Sequence, residues 1–282
     1  MLQKTFELQA AAPKSRILQI ELGHQHVTIN TFNKDFNPVF QLEHFNFKPQ
    51  GGKDGLDWQS LLKDLKSQSA ILSADSPSEK VLITWENDLV QPVPTALFKP
   101  ETKEGYFQYY KESITAEPTD YKHLIDPTAE YQFVYSVPLS AFDCLNEDYP
   151  GATHQHKQAA ITRKLSSFTD HYPLKALLVF YQDHFILTTF AQERLQLIIS
   201  RPFNHGADIV YHLLSAIKEA GVSPDQCCVY LSGLIDGDSQ LFKEIYKFVP
   251  VIDVDRMDNM AYLTDHPDYP SHFFVPFYKY VQ

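Results

Sequence analysis

Between residues 16 and 47 the chain alternates apolar and polar positions in three short runs: Arg16 to Leu22, His26 to Phe32 and Val39 to Phe47. Gly23-His24-Gln25 and the cluster Asn33 to Asn37 separate them, and these residue types favour turns, so the pattern predicts a three-stranded meander. Gly51-Gly52 then breaks the chain, and Asp57, a good N-cap, precedes a helix whose Trp58, Leu61, Leu62 and Leu65 fall at i, i+3, i+4 and i+7. The same order returns at 174–218. Lys175 to Phe180 is a continuous apolar run of the kind expected for a strand covered on both faces. Phe185 to Ala191 and Leu195 to Phe203 follow it, and then a helix from Ala207 to Ala220 with Val210, Leu213, Leu214 and Ile217 at the same helical spacing. The chain thus carries a βββα unit twice.

Each unit continues. After the first come a strand Lys80 to Trp85 and an excursion over about 86–130, punctuated by Pro92, Pro94, Pro100, Pro118 and Pro127. Within it, Glu101 to Lys111 is predicted as a helix carrying Tyr106, Phe107, Tyr109 and Tyr110, either as the core of a small subdomain or as an aromatic patch for a partner. Regular structure resumes with a strand Tyr131 to Val137, a helix Leu139 to Asp148, a strand Ala152 to Gln158 and a helix Ala159 to Phe168. In the second unit, Gly221 is a suitable C′ residue. A strand Cys227 to Leu231, a helix Ser239 to Phe248 and a strand Val251 to Val254 complete βββαβαβ. We expect a first lobe over 1–172 and a second over 173–282, with the aromatic tail from Asp265 to Gln282 packing back on the second.

The chain has 282 residues, 44% of them hydrophobic, enough for two domains with real cores. Asp and Glu outnumber Lys and Arg by 35 to 24, giving a formal net charge of −11, and no basic block occurs, which argues against nucleic acid as a partner. Met1 to Ser15 lacks the apolar stretch of a signal peptide, and no apolar run is long enough to span a bilayer. A cytoplasmic protein without direct membrane insertion is expected. Cys144 is isolated and Cys227 and Cys228 are adjacent in a strand, so free thiols are expected.

The segments Lys80 to Phe98, Tyr131 to Leu165 and 174–255 together resemble the actin-like ATPase superfamily. They are most similar to an uncharacterised family of Bacteroidetes proteins with that fold, akin to the type IV pilus assembly and cell-division actin-like proteins. The resemblance implies an α/β, ribonuclease H-like architecture of two duplicated lobes around a cleft. It also implies ATP with Mg²⁺ as the ligand, held by the first β-turn of each lobe through an acid, a glycine and small hydroxyl residues.

Those positions depart from the pattern here. The first turn reads Glu21-Leu22-Gly23-His24-Gln25-His26, with Glu for the usual Asp and no small hydroxyl residue. Its simpler reading is a tight hairpin with Gly23 at positive φ. In the second, Phe180-Tyr181-Gln182 stands where an acid and a glycine belong, and Asp183 is the one nearby acid. The glycine pair against the nucleoside becomes Ser232-Gly233-Leu234, with Gly237 close behind. Glu21, Gly23, His24, Gln182, Asp183 and Gly233 are therefore the candidates only if nucleotide binds. Two readings result: a non-catalytic scaffold or adaptor for a protein partner, needing no cofactor, or a divergent ATP-binding protein.

Other constellations are weaker. His24 with His26, and His154 with His156, share strand faces but lack a third ligand at a recognisable spacing, so they read as polar strand positions. Asp236-Gly237-Asp238-Ser239 opens like a calcium loop without its later ligands, and Ser239 reads as a helix N-cap. Asp253 and Asp255 would share one strand face. No nucleophile elbow, P-loop or Rossmann glycine pattern occurs.

Overall fold

The structure is a computed structural model that describes residues 2–9, 15–48, 56–74, 78–107, 120–164, 168, 171–257 and 269–281. It divides into two compact units, residues 1–160 and 161–281.

Unit 1 holds a six-stranded sheet. Its strands are β1 (Leu2–Leu8), β2 (Arg16–Leu22), β3 (His26–Phe32), β4 (Pro38–Phe47), β5 (Ser78–Trp85) and β9 (Thr153–His156), in the order β1-β4-β3-β2-β5-β9. The meander pairs antiparallel, whereas β2, β5 and β9 run parallel. Strand β1 was not expected from its sequence, and it covers the outer edge of β4. Helix α1 (Trp58–Gln68) starts where predicted, with the Asp57 carboxylate accepting the Ser60 N–H, and it buries Leu61, Leu62 and Leu65. A short helix α2 (Ala70–Ser73) sits with its first turn on Glu43, whose carboxylate accepts from Ser69 and from the Ala70 N–H.

The excursion forms its own sheet, β6 (Val90–Pro94), β8 (Tyr131–Pro138) and β7 (Tyr121–Pro127), in the order β6-β8-β7. Tyr131–Pro138 therefore pairs with the excursion strands rather than continuing the main sheet. Pro92 and Pro94 fit because β6 is an edge strand, where a missing N–H breaks no ladder. Instead of an α-helix, Pro100–Phe107 forms a 3₁₀ helix. Phe107 is buried there with Val93 and Val134, and Tyr106 stacks on Phe98 against them, so these two aromatics build a satellite core. Tyr109 and Tyr110 lie outside the described residues. Helix α3 (Leu139–Asp148) matches its prediction, and α4 (Lys157–Arg163) begins at the end of β9.

Unit 2 holds β10 (Leu174–Phe180), β11 (His184–Ala191), β12 (Arg194–Pro202), β13 (Cys227–Gly233) and β14 (Ile252–Val254), in the order β12-β11-β10-β13-β14. Here too a meander pairs antiparallel, and β10, β13 and β14 run parallel. Leu174, Ala176, Leu178 and Phe180, alternate residues of β10, meet Ile209, Val210, Leu213 and Ile217 of α5 (Gly206–Glu219) and Ile245 of α6 (Gln240–Tyr246) in one core. The tail forms a 3₁₀ turn, Ser271–Phe273, and a short helix α7 (Val275–Lys279), with Phe274, Val275, Phe277, Tyr278 and Tyr280 all buried.

Candidate functional site

In open α/β sheets, ligands bind outside the carboxyl ends of the parallel strands, so the ends of β2, β5 and β9 in unit 1 and of β10, β13 and β14 in unit 2 are the places to inspect.

In unit 1 the strand register lines up one polar row. His44 of β4 lies opposite Thr28 of β3, Thr28 opposite Glu21 of β2, Glu21 opposite Thr84 of β5, and Thr84 opposite Gln155 of β9. All five are buried. Facing pairs across neighbouring strands put their side chains on the same side of the sheet, and the hydrogen bonds follow that geometry. His44 Nδ1 shares a 2.7 Å bond with Thr28 Oγ1, and Gln155 Nε2 donates to Thr84 Oγ1 at 2.8 Å. Gln19, two residues back on β2, donates to the same Thr84 oxygen at 3.0 Å.

One residue beyond β9, Lys157 closes the row. Its ammonium donates to Glu21 Oε2 at 2.6 Å, and neither side chain has any exposed surface. His26 Nε2 lies 3.5 Å from the other carboxylate oxygen. Burial works against ionisation of Glu21, but the Lys157 charge and the His26 hydrogen bond outweigh it and hold the carboxyl below its ordinary range. Burial drives His44 down to about 3, so that imidazole is neutral.

Gly23 does not have a positive φ, against expectation. The position demands glycine for space, because a Cβ there would overlap the buried His26 ring. The Gly23 N–H donates to His26 C=O at 2.9 Å, which closes the hairpin. His24, at the tip, is exposed and meets Asp88 at 3.0 Å. Unit 1 thus gathers Glu21, Gly23 and His24 at one hairpin, as the sequence order requires. It adds His26, which the sequence offered only as a partner of His24, and Lys157, Thr28, His44, Thr84 and Gln155, which the sequence did not single out.

The two histidines of β9 take different partners. His154 accepts a hydrogen bond from Trp85 Nε1 at 3.1 Å. His156 is buried against the Tyr135 ring, and its backbone N–H donates to Asp126 at 2.7 Å. Desolvation lowers both imidazoles to about 4. Among the described residues no group of three or more His, Cys, Asp or Glu is placed to hold a metal ion.

In unit 2, Gln182 is exposed at the turn between β10 and β11, and Asp183 bonds its own neighbour, His184 Nδ1, at 2.7 Å. Gly233 ends β13 opposite Phe180, with φ of +84°. A Cβ at Gly233 would overlap the Phe180 carbonyl oxygen, and the next N–H, that of Leu234, donates to that oxygen at 2.9 Å. Gly237 is open on all sides.

The tail touches the residues just past all three parallel strands. Phe277 meets Tyr181, after β10, edge-to-face at 6.4 Å between ring centroids. His272 Nε2 bonds the Ile235 carbonyl, after β13, at 2.5 Å. Asp255, after β14, accepts from Lys279 Nζ at 2.6 Å and from the Tyr280 hydroxyl at 2.5 Å. Asp253 and Asp255 therefore do not act as a pair, since Asp253 is exposed while Asp255 is buried under the tail. Burial, then the Asp255 charge, keeps the Tyr280 phenol protonated.

Comparison with known proteins places this geometry. A Bacteroides thetaiotaomicron VPI-5482 protein with an actin-like ATPase fold and unknown function superposes with a TM-score of 0.71 at 18% identity, over 86% of this chain and 91% of that one. The PilM-PilN type IV pilus biogenesis complex gives a TM-score of 0.53 at 14% identity, over 95% and 98% of the two chains. At such identities the likeness is one of fold, and the fold is that of the actin-like ATPases. None of the curated proteins matches the chain. Residues 3–252 match the family described as "Protein of unknown function (DUF3822)", and with that match spanning most of its length the chain belongs to the DUF3822 family.

Proposed function

We propose that this DUF3822 protein is a non-catalytic scaffold or adaptor that works in the cytoplasm through a protein partner. The observation that carries the reading is that in each unit the carboxyl ends of the parallel strands are filled by the chain's own side chains. In unit 1, Glu21 is bound to Lys157 and the space at Gly23 is taken by His26. In unit 2, the tail lies over Tyr181, Ile235 and Asp255.

Mg-ATP, which the fold implies, does not fit these residues. A carboxylate that organises Mg²⁺ must offer an oxygen to the ion, and here a buried ammonium stands against it. Backbone N–H groups that cradle phosphate need an open turn, and the Gly23 N–H is already used within the hairpin. A protein partner is also in keeping with the occurrence of a similar fold in the PilM-PilN type IV pilus biogenesis complex. Among the described residues no helix is long and apolar enough to cross a membrane.

Titration calorimetry with ATP and ADP, with and without Mg²⁺, tests the proposal. No saturable heat is the expected result. Saturable binding at micromolar nucleotide would overturn it in favour of a divergent ATP-binding protein using Glu21, Gly23, His24, Gln182, Asp183 and Gly233.

A further inference from the structure

In unit 1 the polar row is neutral apart from one carboxylate and one ammonium: His44 is uncharged, and Thr28, Thr84, Gln155 and Gln19 carry no charge. Glu21 is ionised in a place without solvent, so its charge must be balanced at close range. Lys157 does this from the first residue of α4, two residues past Gln155, the β9 residue that the register sets level with Glu21 through Thr84.

We infer that Lys157 is a resident cation: its ammonium supplies at Glu21 the positive charge that a divalent ion would otherwise have to bring, and this single residue makes the strand-end site of unit 1 independent of metal and of nucleotide. The inference rests on the non-catalytic reading and deepens it by naming the residue that excludes the ion. Two features favour charge over packing as the role of Lys157. The contact is one direct 2.6 Å bond between opposite charges with no exposed surface on either. Glu21 also has a second oxygen facing His26, so the carboxylate is fixed from two sides, as a bound ion would require.

The test is cation rescue. Lys157→Ala leaves the carboxylate buried without its counter-charge and opens a space the size of the lost side chain. We expect the melting midpoint of unit 1, followed by tryptophan emission, to fall by on the order of 10 °C. Millimolar n-propylammonium or Mn²⁺ should then restore much of it, while tetramethylammonium chloride at equal ionic strength should not. Wild type should respond to none of these. The double variant Glu21→Gln/Lys157→Met, which removes both charges and keeps the volumes, should melt close to wild type and ignore added cations.

Equal rescue by every salt, or a folded Lys157→Ala protein indifferent to all cations, overturns the inference. If Lys157→Ala does not fold, the double variant decides alone. A double variant no more stable than Lys157→Met would mean that Lys157 matters for packing rather than for charge. The two failures are distinguishable: Mg-ATP binding by the wild type would defeat the non-catalytic reading and the inference built on it, whereas absent rescue with a wild type that binds no nucleotide would defeat only the role of Lys157.

Discussion

Acid should loosen unit 1 well before it protonates the Glu21 carboxyl. His44 and His156 are both buried, with imidazoles lowered to about 3 and about 4. Unfolded, each returns to an ordinary value near 6.5. Below that value the unfolded chain binds two protons that the native unit refuses, so the sign is fixed: stability falls as pH drops from about 6.5 toward about 4. At pH 5 the gap is about 1.5 pH units for each imidazole, worth about 2 kcal/mol apiece and about 4 kcal/mol together. His154 acts in the same direction, but it is partly exposed and solvent screens its share. A loss of this size is a large part of the roughly 5–15 kcal/mol that holds a domain together. Trp58 and Trp85 are the two tryptophans of the chain and both lie in unit 1, so urea unfolding followed by tryptophan emission reads this unit selectively. The midpoint should move sharply to lower urea between pH 7 and pH 5, and His156→Gln should remove about half of the movement. A midpoint unchanged over that range would mean that the two imidazoles accept protons in the native unit, and the account of the polar row would be wrong.

Two substitutions in unit 2 test its strand ends. Gly233→Ala must place a methyl group against the Phe180 carbonyl at a φ that L-residues avoid, and we expect a loss of about 3 kcal/mol or more in guanidinium unfolding followed by near-ultraviolet circular dichroism; a loss under about 1 kcal/mol would refute the packing described there. Phe277→Ala empties a buried site against Tyr181 and should cost about 3–5 kcal/mol in the same assay, whereas a near-neutral effect would show that the tail contributes little to the unit.

Much of the fold was legible because the informative signals are local. Period-two alternation delimited β2 and β3 to the residue, and i, i+3, i+4 spacing picked out Leu61, Leu62 and Leu65 of α1 and Val210, Leu213 and Ile217 of α5. Strand β1 escaped notice because Lys4 interrupts its short apolar alternation and its buried partner, Glu43, lies far along the chain. Pro92 and Pro94 disguised β6, since proline argues against a strand unless the strand is known to be an edge. The polar row was hidden for the same reason. Glu21 drew notice as part of a turn, but its partner Lys157 lies 136 residues away in a His-Gln-His-Lys run that reads as ordinary polar surface. Only the parallel pairing of β2, β5 and β9 brings the two together. Gln19 and Glu21, alternating with Ile and Leu, were the available hint that one face of a central strand is polar.

The position of the tail in the chain also sets an order of events during synthesis. The described strands of unit 2 and its helices α5 and α6 leave the ribosome before Ser271, so the sheet can form while Tyr181, Ile235 and Asp255 are still uncovered. Nascent unit 2 then presents an aromatic, acid-bearing rim until His272, Phe277, Lys279 and Tyr280 close it, and a chain stalled or clipped before Phe277 would leave part of that rim displayed to chaperones and proteases.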